Sequence, residues 1–150
     1  MLPCLCGSLR RAARALTQHY EEALRPHGLS ATQMTILQVF SRAGEVTQGR
    51  LGEMLAMDST SLTRTLAIMR THGWIAERRG KDRRERWLRL SADGVKKLRR
   101  SEPTWEKVQS EVRRGLGDNG WDDDLMRLAY RLTEAMARKD ESRKLTNKGA

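Results

Sequence analysis

Apolar residues recur every third or fourth position along most of this chain, and the breaks in that rhythm divide it into segments. Leu9, Ala12, Ala13, Leu16, Tyr20, Ala23 and Leu24 make the first stripe. It predicts a helix from Ser8 to about Arg25, stopped by Pro26-His27-Gly28. Ser30 with Gln33 three positions later reads as a capping box opening a second helix, with Met34, Leu37 and Phe40 inward and an end near Ala43-Gly44. Thr47 can cap a short third helix carrying Leu51, Met54 and Leu55. After the tight link Ala56 to Asp58, either Asp58 or Ser59 caps a fourth, with Leu62, Leu66 and Met69 inward until Gly73 ends it.

The period then changes. Trp74 to Arg79 and Arg86 to Leu90 are short and rich in aromatic and alternating apolar residues, with Leu88 and Leu90 on one side and Trp87 and Arg89 on the other. Gly80 to Glu85 is a polar tip of hairpin size. Helical spacing resumes after Ser91, a cap, with Val95, Leu98, Trp105, Val108 and Val112 on one face to about Gly115, and Pro103 is expected to bend this helix or start a new turn. Turn formers fill Gly115 to Gly120. A last helix from Trp121 to about Lys139 bears Leu125, Leu128, Leu132 and Met136. The polar stretch 140–150 has no period and is expected to be disordered.

That order of elements is mainly α with a small β-hairpin wing, a winged helix-turn-helix with six helices. Within a single domain, residues 30–91 form the lobe, 8–28 and 92–139 a dimerisation region, and 140–150 a tail. A helix of roughly 10–12 Å diameter fits the major groove, where short polar side chains approach base edges. In the fourth helix these are Ser59, Thr60, Ser61, Thr63 and Arg64, and among them Arg64 alone can contact a guanine in bidentate fashion.

Composition strengthens this picture. The 150 residues carry 29 Lys+Arg against 19 Asp+Glu, a net charge of +10, and clustered cations of this kind are most often spent on phosphate. Positions 78–89 hold seven of those cations (Arg78, Arg79, Lys81, Arg83, Arg84, Arg86 and Arg89) against Asp82 and Glu85. A basic hairpin tip can reach a minor groove, whose negative potential favours arginine. No apolar run is long enough to span a membrane, and arginines arrive too early for a signal peptide, so a cytoplasmic protein is expected. Cys4 and Cys6 with His19, His27 and His72 lack the paired spacing of a structural zinc site. No phosphate loop, activated nucleophile or carboxylate pair appears. The residues therefore suggest neither an enzyme nor a cofactor or metal.

Several phrases together resemble the MarR family of bacterial transcription regulators over roughly residues 5 to 138. These are Asp58-Ser-Thr-Ser-Leu-Thr-Arg-Thr-Leu in the fourth helix, Gly73-Trp-Ile before the wing, and Asp82-Arg83-Arg84 followed by Leu88-Arg-Leu-Ser-Ala-Asp-Gly. Ser91 stands where threonine is commoner, which keeps the cap. The resemblance implies a homodimer with interlocked first, fifth and sixth helices, two lobes reading double-stranded DNA at a pseudo-palindromic operator, and a possible small-molecule effector. By the same analogy Arg84 enters the minor groove, and Asp82 orients an arginine near the reading helix, with Arg64 the candidate.

The first twenty residues resemble the organic hydroperoxide-sensing branch of that family, in which a cysteine precedes the first helix and a tyrosine fourteen residues on supports it; Cys6 and Tyr20 keep that spacing. A thiol at a helix N-terminus, with Arg10 and Arg11 one turn inside, is expected to ionise readily, and Cys4 could resolve an oxidised Cys6. The chain departs from the branch at Arg10 and Ala31, where aromatics are usual. The leading expectation is thus a sequence-specific, dimeric DNA-binding regulator, a repressor released by a ligand or by thiol oxidation. The alternative is a basic architectural protein that coats nucleic acid without base readout. Serine and threonine in the fourth helix favour the first, because a coating protein would place lysine and arginine there.

Overall fold

In the computed structural model, residues 4–82, 85–117 and 120–147 are described, with side chains placed up to 137. The chain divides into two compact units, Met1–Val108 and Gln109–Ala150. In the first, helix α1 spans Leu5–Leu24 and passes into one 3-10 turn, Arg25–His27. Gly28 closes that turn in the left-handed region at φ 60°, where a Cβ would be strained. Helix α2 (Ala31–Ala43) opens with the capping box: Gln33 N–H donates to Ser30 Oγ at 3.1 Å, and Ser30 N–H donates to Gln33 Oε1 at 2.9 Å. Strand β1 (Val46–Thr47) leads into α3 (Gln48–Leu55), then α4 (Ser59–Thr71), β2 (Ile75–Arg79), β3 (Arg86–Leu90) and α5 (Ala92–Leu116).

Each cap falls where an oxygen can accept an orphan N–H. Thr47 Oγ1 accepts from Arg50 N–H at 3.2 Å, and Asp58 Oδ1 accepts from Ser61 N–H at 2.8 Å. Hydrogen bonding from Ser61 holds the Asp58 carboxyl below its ordinary range. Ser91 Oγ accepts from Gly94 N–H at 3.0 Å and donates back to the Gly73 carbonyl. Between α3 and α4 the turn is tight enough to put Ala56 at φ 49°.

The three strands form one antiparallel sheet in the order β1-β3-β2, with Ile75 opposite Leu90, Arg79 opposite Arg86, and Val46 opposite Leu88. One core lies between helices and sheet: Leu24, Met34, Ile36, Leu37, Leu51, Leu62, Leu66, Met69 and Leu88 are sealed from water. Each such side chain contributes about 1.5–3 kcal/mol on burial.

In the second unit, α6 spans Trp121–Asn147. Gly117 and Gly120, at φ 83° and 72°, turn the chain into it, and Arg113 pairs with Asp122 at 3.0 Å across that turn. Asp122, Asp123 and Asp124 place negative charge on the positive end of the helix dipole. Among the described residues, no helix is long and apolar enough to cross a membrane.

Four expectations change. Strand β1 was not foreseen, because two residues are too few to show a period. Helix α1 begins at Leu5, ahead of Ser8. Helix α5 continues through Pro103, so no new helix starts there, and buried Ser101 and the bond between Thr104 Oγ1 and His27 Nε2 at 2.8 Å flank it. Helix α6 runs to Asn147, well past Lys139. Positions 140–147 contain neither proline nor glycine, and a helix already formed propagates through such residues without an apolar stripe.

Candidate nucleic-acid interface

Because Leu62, Leu66 and Met69 bind α4 to the core, the opposite face is fixed by the 100° step of the helix. Thr60, Arg64, Ala67 and Thr71 occupy that face, flanked by Ser59, Ser61 and Thr63, and all are exposed. The five side chains singled out in the sequence are therefore presented together. Arg64 is exposed on this face. Asp82 lies in the bend at the wing tip, and its carbonyl accepts from Glu85 N–H at 3.0 Å.

The wing is tied to the lobe by two carboxylates that the sequence reading passed over. Glu77 on β2 accepts from Arg70 Nε of α4 at 2.7 Å and from Arg86 Nη1 of β3 at 3.1 Å. Glu45, just before β1, accepts from Arg78 Nε at 2.9 and 3.0 Å, while that guanidinium lies 5.2 Å from the centre of the Trp87 ring. The bond from Arg78, and next its charge, hold the Glu45 carboxyl below its ordinary value and raise Arg78 in turn. Two of the seven cations counted in the ribbon are thus spent internally. Arg79, Lys81 and Arg89 remain exposed, and Arg86 keeps 58% of its side chain in solvent despite its pairing. Arg83 and Arg84 lie outside the described residues. Periodicity could not have found Glu45 and Glu77, since the register Glu77 opposite Leu88 and the fold-back of residue 45 are products of pairing.

Cys4 is the N-cap of α1 and Cys6 sits in its first turn, within the helix and not ahead of it; both are exposed. Tyr20 is half-buried against the core. At 1.5 Å per residue, fourteen residues of one helix separate Cys6 from Tyr20 by about 21 Å, so the two do not meet within a chain.

A cleft of about 430 Å³ lies in the first unit between the 3-10 turn and the start of α5, lined by Pro26, His27, Trp74, Lys97, Arg100 and Ser101 among others. Lys97 donates to the His27 carbonyl and stands 4.6 Å above the Trp74 ring. Burial, and next the charge of Arg100, lower its pKa. The His72 and Trp74 rings stack at 4.5 Å beside it. Among the described residues no three His, Cys, Asp or Glu side chains converge as metal ligands do.

The profile of the MarR family matches residues 27–85, from the 3-10 turn to the wing. An HTH-type transcriptional regulator of Bacillus subtilis, YwoH, is 27% identical over 108 residues, which is 72% of this chain and 79% of that protein. The transcriptional regulator MosR of M. tuberculosis, in a crystal structure in complex with DNA, is 36% identical, superimposes with a TM-score of 0.79, and covers 90% of this chain and 97% of its own. A mutant of MarR from E. coli, complexed with operator DNA, shares the fold at a TM-score of 0.71 and 21% identity over 87% of this chain and 92% of its own.

Proposed function

The chain belongs to the MarR family of transcription regulators, which are not enzymes, and we propose that it binds double-stranded DNA as a homodimer on a pseudo-palindromic operator in the cytoplasm and represses transcription until released. The observation that carries this reading is the outward face of α4, where Arg64 and its neighbouring hydroxyls are exposed together in the same lobe as a basic ribbon. In this reading residues 30–91 are the DNA-binding lobe, and 8–28 with 92–139 supply the dimer seam. Arg64 reads guanine, while Ser59, Thr60, Ser61 and Thr63 meet base edges or phosphates. Arg83 and Arg86 neutralise phosphate, Arg84 enters the minor groove, and Asp82 shapes the tip that carries it. MosR, 36% identical and crystallised in complex with DNA, supports the DNA-binding reading.

Arg64→Ala is expected to cost about 1–3 kcal/mol on the preferred duplex and to relax discrimination at one base pair. Arg83→Ala weakens every sequence alike and reduces the salt slope by about 1. For Arg84→Ala the loss is greatest where the minor groove is narrow. Binding titrations on preferred and random duplexes at several salt concentrations separate these outcomes. Identical losses on both duplexes for all three variants would replace the reading with the architectural alternative.

Release has two candidate routes. The cationic cleft beside Trp74 suits a small anionic ligand with an apolar body. The other route is oxidation of Cys6: its sulfur attacks the peroxide O–O bond, giving a sulfenic acid and an alcohol, which Cys4 then condenses to a disulfide with loss of water. Any support from Tyr20 must cross between two copies, since it is out of reach in one. DNA binding is expected to fall when the wild type is titrated with an organic hydroperoxide, and to persist in Cys6→Ser. Equal and unchanged affinity in both would leave Cys6 a structural residue.

A further inference from the structure

Gln48 opens α3, and its amide Nε2 donates to Thr63 Oγ1 on α4 at 3.0 Å, the one side-chain bond described between the two helices. A threonine hydroxyl has one proton and two lone pairs. Four other helical threonines spend that proton on the carbonyl four residues back: Thr35 on Ala31, Thr65 on Ser61, Thr71 on Ala67 and Thr133 on Ala129, all at 2.9–3.1 Å. Thr63 does not. It accepts from an amide N–H, which cannot take a proton in return, so its own hydroxyl proton is left for an acceptor outside the protein.

We propose that Gln48 is a positioning residue for base readout: it fixes Thr63 as a hydrogen-bond donor toward one base of the operator. This rests on the reading that α4 enters the major groove. There guanine offers N7 and O6 as acceptors and thymine offers O4, whereas cytosine presents the N4–H₂ donor, which a donating hydroxyl cannot satisfy. The pair therefore selects against cytosine at that position. Its geometry is set before DNA arrives, because the two side chains already restrain each other across the turn. No net charge is involved, so the contribution is to discrimination and not to the salt-dependent attraction of the ribbon.

The probe is a duplex selected by the wild-type protein from a randomised library, together with its single-base-pair variants. Gln48→Ala and Thr63→Val should each weaken binding to the selected duplex by about tenfold, the scale of one base contact, and the double variant by no more than either alone. Both losses should vanish at the same substituted base pair. Gln48→Glu tests the direction of the bond. A carboxylate has no proton to give, so it accepts the Thr63 proton and turns the hydroxyl's lone pairs outward; preference at that base pair should then move toward cytosine. Gln48 is half-buried, Thr63 is exposed and neither belongs to the core, so circular dichroism melts should match the wild type in all variants. The inference is overturned if the two single losses multiply, if they are uniform over all sequences as a phosphate contact would be, or if Gln48→Glu keeps the wild-type base order. Silence of Gln48→Ala beside a clear loss for Arg64→Ala overturns this inference alone. Silence of both overturns the reading of α4 as well.

Discussion

Leu125→Asp combined with Leu128→Asp should leave a folded monomer of 17.2 kDa that binds a two-half-site duplex about 10²–10⁴-fold more weakly than the wild type. The reason lies in α6. Over its described side chains it buries none, and it leaves Trp121 56%, Leu125 39%, Met126 71%, Leu128 51%, Tyr130 66% and Met136 55% exposed. Trp121, Leu125, Leu128 and Met136 follow helical spacing along one face, while Met126 and Tyr130 lie round the other side, and an exposed apolar face of this kind is rare on a monomer. Covering each large side chain contributes about 1.5–3 kcal/mol, whereas two aspartates would have to be buried unpaired. Leu5 and Leu9 of α1 are also exposed and suit the same role. The fold of the first unit should survive, since its core uses no α6 residue. Sedimentation at micromolar concentration reads the mass, and titration on single and paired half-sites reads the loss. A wild type sedimenting at 17.2 kDa would remove the dimer. A double variant that stays dimeric would move the seam away from α6.

The helices were legible because each combines a stripe with a cap, and the two signals rest on different physics. Ser30 with Gln33, Thr47, Asp58 and Ser91 mark starts through hydrogen bonding, while Leu62, Leu66 and Met69 mark a face through burial. Where only one signal existed, the reading slipped. Cys4 offers no side-chain cap to mark the start, and α1 begins at Leu5, three residues ahead of the Ser8 that the stripe suggests. The polar end of α6 carries no stripe, and its helicity comes from propagation alone.

At the interface, residue type was legible and partnership was not. Counting charges along the ribbon treats all its arginines alike, yet Arg78 and Arg86 answer to Glu45 and Glu77, and Arg70 reaches the wing from the end of α4. Those pairings span 33, 9 and 7 positions and arise only once the strands are in register. Gln48 was invisible for the same reason: its partner lies fifteen positions away, across the turn.

Gly94→Ala should destabilise the protein on the order of 3 kcal/mol, at the upper end of overpacking costs, and lower the melting temperature by roughly 6–12 °C. Intrinsic propensity predicts the opposite sign, because alanine is favoured over glycine inside a helix by about 1 kcal/mol. Packing decides. A Cβ at Gly94 would stand 1.9 Å from the Trp74 carbonyl oxygen, 2.9 Å from its carbon and 3.1 Å from Leu90 Cδ2. The first obstacle is backbone, and it is pinned: Trp74 O accepts from Ser91 N–H at 3.1 Å, while Ser91 Oγ donates to Gly73 O at 2.5 Å. Relief therefore requires the first turn of α5 to lift away from the junction where α4 ends and β2 begins. That motion also withdraws the Gly94 N–H from its cap on Ser91, at 3.0 Å. Since β2 and β3 carry the basic ribbon, DNA affinity should fall along with stability even at temperatures where the variant is folded. Thermal melts by circular dichroism and a titration at 10 °C separate the two effects. A melting temperature that rises, as propensity alone demands, would mean that α5 does not approach Trp74 so closely in solution.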